Sequence, residues 1–214
     1  MYFPAKEKIV RIVLFIFSLF TLILQYGIML QGTDSFETFI SKTITFLSYM
    51  TILTNILVAL VYIVPLVMPA TKPGNFLSKP FVQTATLVYI IVVCIGYHIL
   101  LSKIWSPQGL QKAADISLHY LVPVFYIFFW LFFVQKGTLK YTFAFTWLLY
   151  PAAYLIYAII RGSITGIYAY YFLDLQKNEL QHVITIITAL LSAYIIVGLV
   201  AIFIYRKILM RLKA

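Results

Sequence analysis

Apolar residues gather in six long runs along the chain, at about 9–30, 44–68, 81–103, 115–134, 141–160 and 183–205, with short polar stretches between them. Each run is close to the ~20 residues that an α-helix needs to cross the hydrocarbon core of a bilayer. Lipid offers no hydrogen bonds to the backbone, so a run of this kind satisfies its own N–H and C=O groups as a helix. The pattern therefore predicts an all-α polytopic integral membrane protein: a six-transmembrane-helix bundle forming one domain over residues 1–214. The first run exceeds the roughly 7–15 residues of a signal-peptide core, and no clear small-residue cleavage site follows it, so it reads as a span.

Polar residues break these runs in few places. The stretch "SYMTILTNILVAL" at 48–60 places Ser48, Thr51, Thr54 and Asn55 in the second span. Ser48, Thr51 and Asn55 are spaced i, i+3, i+7, which puts them on one helical face. A span entered near residue 44 sets Thr51 roughly 10 Å below its end, at 1.5 Å per residue. In the fourth run Asp115 and His119 are spaced i, i+4 and share a face. His98 lies near the end of the third run and His182 at the start of the sixth. All three histidines thus fall in the same half of the bilayer.

Composition strengthens the membrane reading. The chain is 63% hydrophobic and 10% charged, against about 25% charged in a soluble domain. Its 16 Lys and Arg outnumber its 6 Asp and Glu, and the six-span scheme explains that excess without nucleic acid. Lys6, Lys8, Arg11, Lys72, Lys79, Lys136, Lys140, Arg206, Lys207, Arg211 and Lys213 fall on one side. Lys42, Lys103, Lys112, Arg161 and Lys177 fall on the other. The positive-inside bias then places both termini in the cytoplasm and the histidines in the outer half. The single cysteine, Cys94, cannot form an intramolecular disulfide and reads as a small apolar residue. Tyr49, Trp105 and Tyr168, near span ends, read as interfacial anchors.

Thr51 and His119 lie at similar depth on different spans, so a bundle can join them. An imidazole can take the proton of a threonine hydroxyl during attack on an acyl carbon, and a carboxylate can orient the imidazole. Asp115 is placed to orient His119, and Asn55 is the local candidate for an oxyanion donor. The chemistry would be hydrolysis of a lipid ester that reaches the site from the bilayer. Bland roles stand beside it: membrane Thr and Ser commonly bond back to their own backbone or join helices, as Asn and His can. His98, His119 and His182, with Asp115 or Asp174, are an alternative zinc set, although no short ligand spacing links them. No G-x-S-x-G, H-E-x-x-H or P-loop motif is present, and no cofactor or metal is implied. A non-enzymatic carrier or sensor, binding a small amphipathic ligand among the same polar residues, is the other class of function. A water path through to the cytoplasm would mark a carrier.

Three segments carry a resemblance to a known family. They are "FLSYMTILTNILVAL" at 46–60, "LHYLVPVFYIFFW" at 118–130 and "YAIIRGSITGIYAYYFLDL" at 157–175. In this order, with six spans, they resemble the androgen-induced-gene protein family, and most closely its bacterial six-span Pr-six-Pr branch. The animal members of that family are intramembrane threonine hydrolases that cleave fatty-acid esters of hydroxy fatty acids. The resemblance implies Thr51 as nucleophile and His119, shortly before Pro123, as the essential histidine. It also implies a bacterial cytoplasmic membrane. The chain departs from the animal pattern at Thr54, where those members carry Asp, and in a His-to-Pro spacing one residue shorter. Thr54 is accordingly the reserve nucleophile. Arg161 and Asp174, from the third segment, are expected to close the mouth of the site or bind a substrate carboxylate; an ordinary loop ion pair is the alternative. Gly162 and Gly166 are expected to permit turns or close packing.

Overall fold

The computed structural model describes residues 3–134 and 139–209, and these form helices without strands. Six segments are long and apolar enough to cross a membrane: Ala5–Met29, Met50–Val67, Pro80–Leu101, Gly109–Phe133, Phe143–Thr165 and Leu180–Lys207. Span one is α1 (Ala5–Met29). A short helix α2 (Phe36–Phe46) precedes span two, which is α3 (Met50–Val67). After α4 (Lys72–Leu77) comes span three, formed by α5 (Pro80–Gly96) and a π-helical turn Tyr97–Leu101. Span four joins α6 (Gly109–Ile116), a second π-helical turn Ser117–Leu121 and α7 (Val122–Phe133). Span five is α8 (Phe143–Thr146) and α9 (Leu149–Thr165), and span six continues α10 (Leu180–Ile204) into a π-helical turn.

Contacts between span ends fix the bundle's topology. Arg11 near the start of α1 meets Val61 late in α3, while Leu22 packs with Ile52 early in α3. Tyr97 reaches Asp115, and Trp130 reaches Thr84. Neighbouring spans are therefore antiparallel. One end of the bundle carries the first and last described residues (the terminal end), and the other carries residues 30–49, 102–108 and 166–179 (the loop end). Helix α5 lies at the centre, packed against α3, α7 and α10, and it buries residues from Val82 to Val93 on all sides. The outermost helix, α1, behaves oppositely: Ile9, Val13, Ile16, Phe20 and Ile23 form an exposed apolar stripe suited to lipid.

Two of the expected elements differ. Span two does not begin at residue 44, because the chain breaks over Leu47–Tyr49. The Ser48 hydroxyl donates back to the carbonyl of Ile44 at 2.6 Å and lies 3.0 Å from the Tyr157 hydroxyl. Tyr154 donates to the Ser48 carbonyl at 2.9 Å. Two tyrosines of α9 thus hold the turn, and Ser48 does not share a helix with Thr51 and Asn55. Span four, in turn, starts at Gly109, which sets Asp115 inside the helix rather than at its mouth.

Arg11 is also not a headgroup-level charge. It is 1% exposed; its Nε donates to Glu7 at 2.9 Å, one Nη donates to the Val61 carbonyl at 2.9 Å, and Phe3 and Phe129 cover its guanidinium. Lys136, Arg211 and Lys213, also assigned to the cytoplasmic side, lie outside the described residues. Breaking a buried pair from one side strands the other charge, at about 3–5 kcal/mol. Arg11→Ala is therefore expected to lower thermal stability in detergent sharply, and Glu7→Gln combined with Arg11→Met to recover most of the loss. Equal melting temperatures for Arg11→Ala and the native protein would show that the pair carries no such weight.

Candidate active site

Helix α3 begins at Met50, so Thr51 stands in its first turn. The first bond of this helix runs from the Leu53 N–H to the Tyr49 carbonyl. The N–H groups of Met50, Thr51 and Ile52 therefore lie ahead of the helical ladder, where the helix dipole is positive.

His119 projects from the π-helical turn of span four, and Pro123 accounts for that turn. Proline has no N–H for the carbonyl of His119, and its ring crowds that carbonyl. The helix opens by one residue instead, and the Val122 N–H reaches back to the Ser117 carbonyl. This geometry brings His119 Nε2 to 3.3 Å from Thr51 Oγ1.

The other ring nitrogen fixes the tautomer. Nδ1 faces the backbone carbonyl of its own previous turn, Asp115 O, at 2.9 Å and the carboxylate Oδ1 of Asp115 at 3.2 Å. Both are acceptors, so Nδ1 carries the proton. In a neutral ring the lone pair is then on Nε2, the atom that faces the hydroxyl. Tyr97 completes the support: its hydroxyl donates to Oδ2 of Asp115, and its ring stacks on the imidazole at 3.8 Å between centroids.

Tyr170 is the group that sequence reasoning missed. The segment after α9 turns at Gly166, whose φ of +72° suits glycine, and folds back between spans five and six. Gly162 lies so close to the Tyr168 ring that a Cβ would sit 2.2 Å from it. Phe172, Leu173 and Asp174 are buried there. The Tyr170 hydroxyl lies 3.5 Å from Thr51 Oγ1 and accepts from the Thr51 N–H at 3.4 Å. Burial raises this phenol above its ordinary value, so it stays protonated at neutral pH and keeps a hydrogen to donate. The signal available was an aromatic loop between two spans, "YAYYF" at 168–172, richer in rings than an anchor requires.

The remaining expected residues divide. Asn55 is fully buried, but its amide donates to the Thr51 carbonyl at 2.8 Å and the Leu118 carbonyl at 3.4 Å. It ties the first turn of α3 to the turn bearing His119, and those N–H groups are already engaged. Thr54 is fully buried against Tyr150, 3.3 Å between hydroxyls, and faces neither cavity described below. Arg161 and Asp174 do not pair. Arg161 donates to the Ile167 carbonyl at 2.8 Å and to Thr45 Oγ1 at 3.4 Å. Asp174 accepts from the Gln176 N–H at 3.0 Å and lies 3.4 Å from Lys177 Nζ. His98 bonds Tyr120 at 3.1 Å. Among the described residues, no three His, Cys, Asp or Glu side chains converge on one point.

Thr51 and Tyr170 stand on the wall between two cavities. A chamber of ≈ 460 Å³ contains His119, Asp115, Gln25, Gln111 and Trp105 in its lining. A slot of ≈ 60 Å³ runs on the other side, between spans three, five and six. A hydroxyl 3.3 Å from an imidazole nitrogen, beside the first N–H groups of a helix and a phenol, has the parts required for acyl transfer. No protein-family model, curated protein or solved structure matches this chain.

Proposed function

We propose that the protein is an intramembrane hydrolase of lipid esters, with Thr51 as nucleophile and His119 as general base. The observation that carries the reading is the 3.3 Å approach of Thr51 Oγ1 to His119 Nε2, with the opposite ring nitrogen held by Asp115. In the first half-reaction Nε2 takes the hydroxyl proton while Oγ1 bonds to the ester carbonyl carbon. The C–O bond to the alcohol then breaks, and the departing oxygen takes that proton from His119. In the second half a water gives its proton to Nε2 and attacks the acyl-threonine. The carboxylic acid leaves, and Thr51 regains its hydrogen. Tyr170 and the N–H groups at the start of α3 are the donors for the carbonyl oxygen as it becomes an oxyanion.

Supporting observations come from outside the site. The terminal half of the bundle is closed by Val61, Tyr62, Tyr126, Phe129 and Trp130, each at most 1% exposed. That packing favours hydrolysis over carriage, which needs a path through. The three segments that resemble the androgen-induced-gene protein family contain Thr51, His119 and Tyr170. On this reading the substrates are fatty-acid esters of hydroxy fatty acids or close analogues, and the protein lies in a bacterial cytoplasmic membrane. The excess of Lys and Arg at the terminal end supports a cytoplasmic position for both termini.

The test is a fluorophosphonate, which loses fluoride when an activated hydroxyl attacks phosphorus. Peptide mapping of the purified protein is expected to find the phosphonyl group on Thr51, and turnover of a fluorogenic long-chain ester to fall in step with labelling. Absence of both labelling and turnover across an ester panel would overturn the proposal. Tyr170→Phe is expected to lower kcat about 10²-fold, the usual scale for one oxyanion donor, with little change in KM or melting temperature. An unaltered kcat would remove Tyr170 from that role.

A further inference from the structure

The two cavities that meet at Thr51 differ in shape and chemistry. The chamber, ≈ 460 Å³, is wide, and carries the amides of Gln25 and Gln111, which face each other at 2.9 Å. The slot, ≈ 60 Å³, is narrow and has no charged residue in its lining. Its walls are Val92, Val93 and Gly96 of α5, Leu155 of α9, and Leu190 and Tyr194 of α10. It follows span three from Leu101 down to Val92, about 13 Å at 1.5 Å per residue. The tyrosines near its head turn their hydroxyls out of it: Tyr97 bonds Asp115, and Tyr154 bonds the Ser48 carbonyl.

Resting on the hydrolase reading above, we propose that the slot receives the acyl chain of the ester and that the alcohol half remains in the chamber. An ester of a hydroxy fatty acid is branched at its alcohol carbon, whereas its acyl half leaves the carbonyl as one chain. A narrow apolar channel accepts only the single chain. The branched, polar-bearing half needs the wider space and the two amides. Gly96 is the residue that keeps the slot open. A Cβ built there touches nothing nearer than Leu190 Cδ2 at 3.8 Å, so the backbone tolerates a side chain, and a larger one extends into the space an acyl chain would fill.

The experiment compares 4-methylumbelliferyl esters from butanoyl to decanoyl in native protein, Gly96→Leu and Val93→Phe. Each variant is expected to lose about tenfold or more on the decanoyl ester relative to the butanoyl ester, from the 1–3 kcal/mol scale of overpacking. A folded variant with an unchanged length profile would overturn the assignment. A second measurement needs no turnover. Decanoic acid bearing a diazirine at its methyl end, a chain matched to the slot's length, is photolysed with Thr51→Ala protein, and the adduct is mapped. Labelling within 92–96 and 190–194 supports the slot as the acyl site. Labelling only at chamber residues such as Gln25 or Trp105, or nowhere in the bundle, overturns it. If native protein hydrolyses no ester, the hydrolase reading fails by itself, and the photolabel still decides where an acyl chain binds.

Discussion

Thr51→Ala is expected to lose turnover of long-chain esters by about 10⁶-fold, the scale seen when the nucleophile of a catalytic triad is removed. The variant is expected to stay folded. Among the described residues the Thr51 hydroxyl bonds only to His119 and Tyr170, and the backbone groups of the residue keep their partners. Two companions sharpen the test. Thr51→Ser keeps the oxygen and loses a methyl group, so it is expected to retain turnover within about tenfold. Thr54→Ala removes the next threonine, one turn along, but its hydroxyl is turned to Tyr150 and does not line the chamber. It is expected to affect stability more than kcat. Native turnover in Thr51→Ala, with loss in Thr54→Ala, would shift the nucleophile by one turn and dismantle the site described here.

The spans were legible in the sequence because lipid imposes a continuous apolar requirement on each of them. The break at Leu47–Tyr49 was not. No glycine or proline marks it; it exists because Tyr154 and Tyr157, distant in sequence, capture Ser48. That break matters, since it converts Thr51 from a mid-helix residue into one at a helix start, beside N–H groups that lie ahead of the helical ladder. The Asp115–His119 pair was legible from its i, i+4 spacing alone. The cost of placing Arg11 was also visible: Glu7 lies four residues before it, the spacing of a helical ion pair. The positional habit of basic residues at span ends hid it. Asn55 was the right residue with the wrong task, because spacing puts an amide near Thr51 without saying which carbonyls take its protons. Tyr170 illustrates the general limit: a loop that folds back into a bundle is fixed by packing, and local pattern cannot register that.

His119→Gln is expected to lower turnover by about 10²–10⁴-fold, the range for loss of a positioned general base, and the behaviour of Asp115 separates the base from its support. In serine triads the carboxylate holds the imidazole tautomer, and its amide analogue costs about 10⁴-fold because the tautomer inverts. Here Nδ1 has a second acceptor, the Asp115 backbone carbonyl at 2.9 Å, which Asp115→Asn leaves in place. The tautomer should survive, and only the carboxylate's stabilisation of the imidazolium is lost. Asp115→Asn is therefore expected to cost about 10–10²-fold, well short of the triad figure. Tyr97→Phe, which removes the donor to that carboxylate but keeps the ring on the imidazole, should cost less again. The measurement is kcat and fluorophosphonate labelling rate for the three variants side by side. Equal losses for Asp115→Asn and His119→Gln would mean that the carbonyl does not hold the ring, and that His119 acts through Asp115 alone. Full labelling of Thr51 in His119→Gln would mean that another group activates the hydroxyl, and the base would have to be sought elsewhere along the chamber wall.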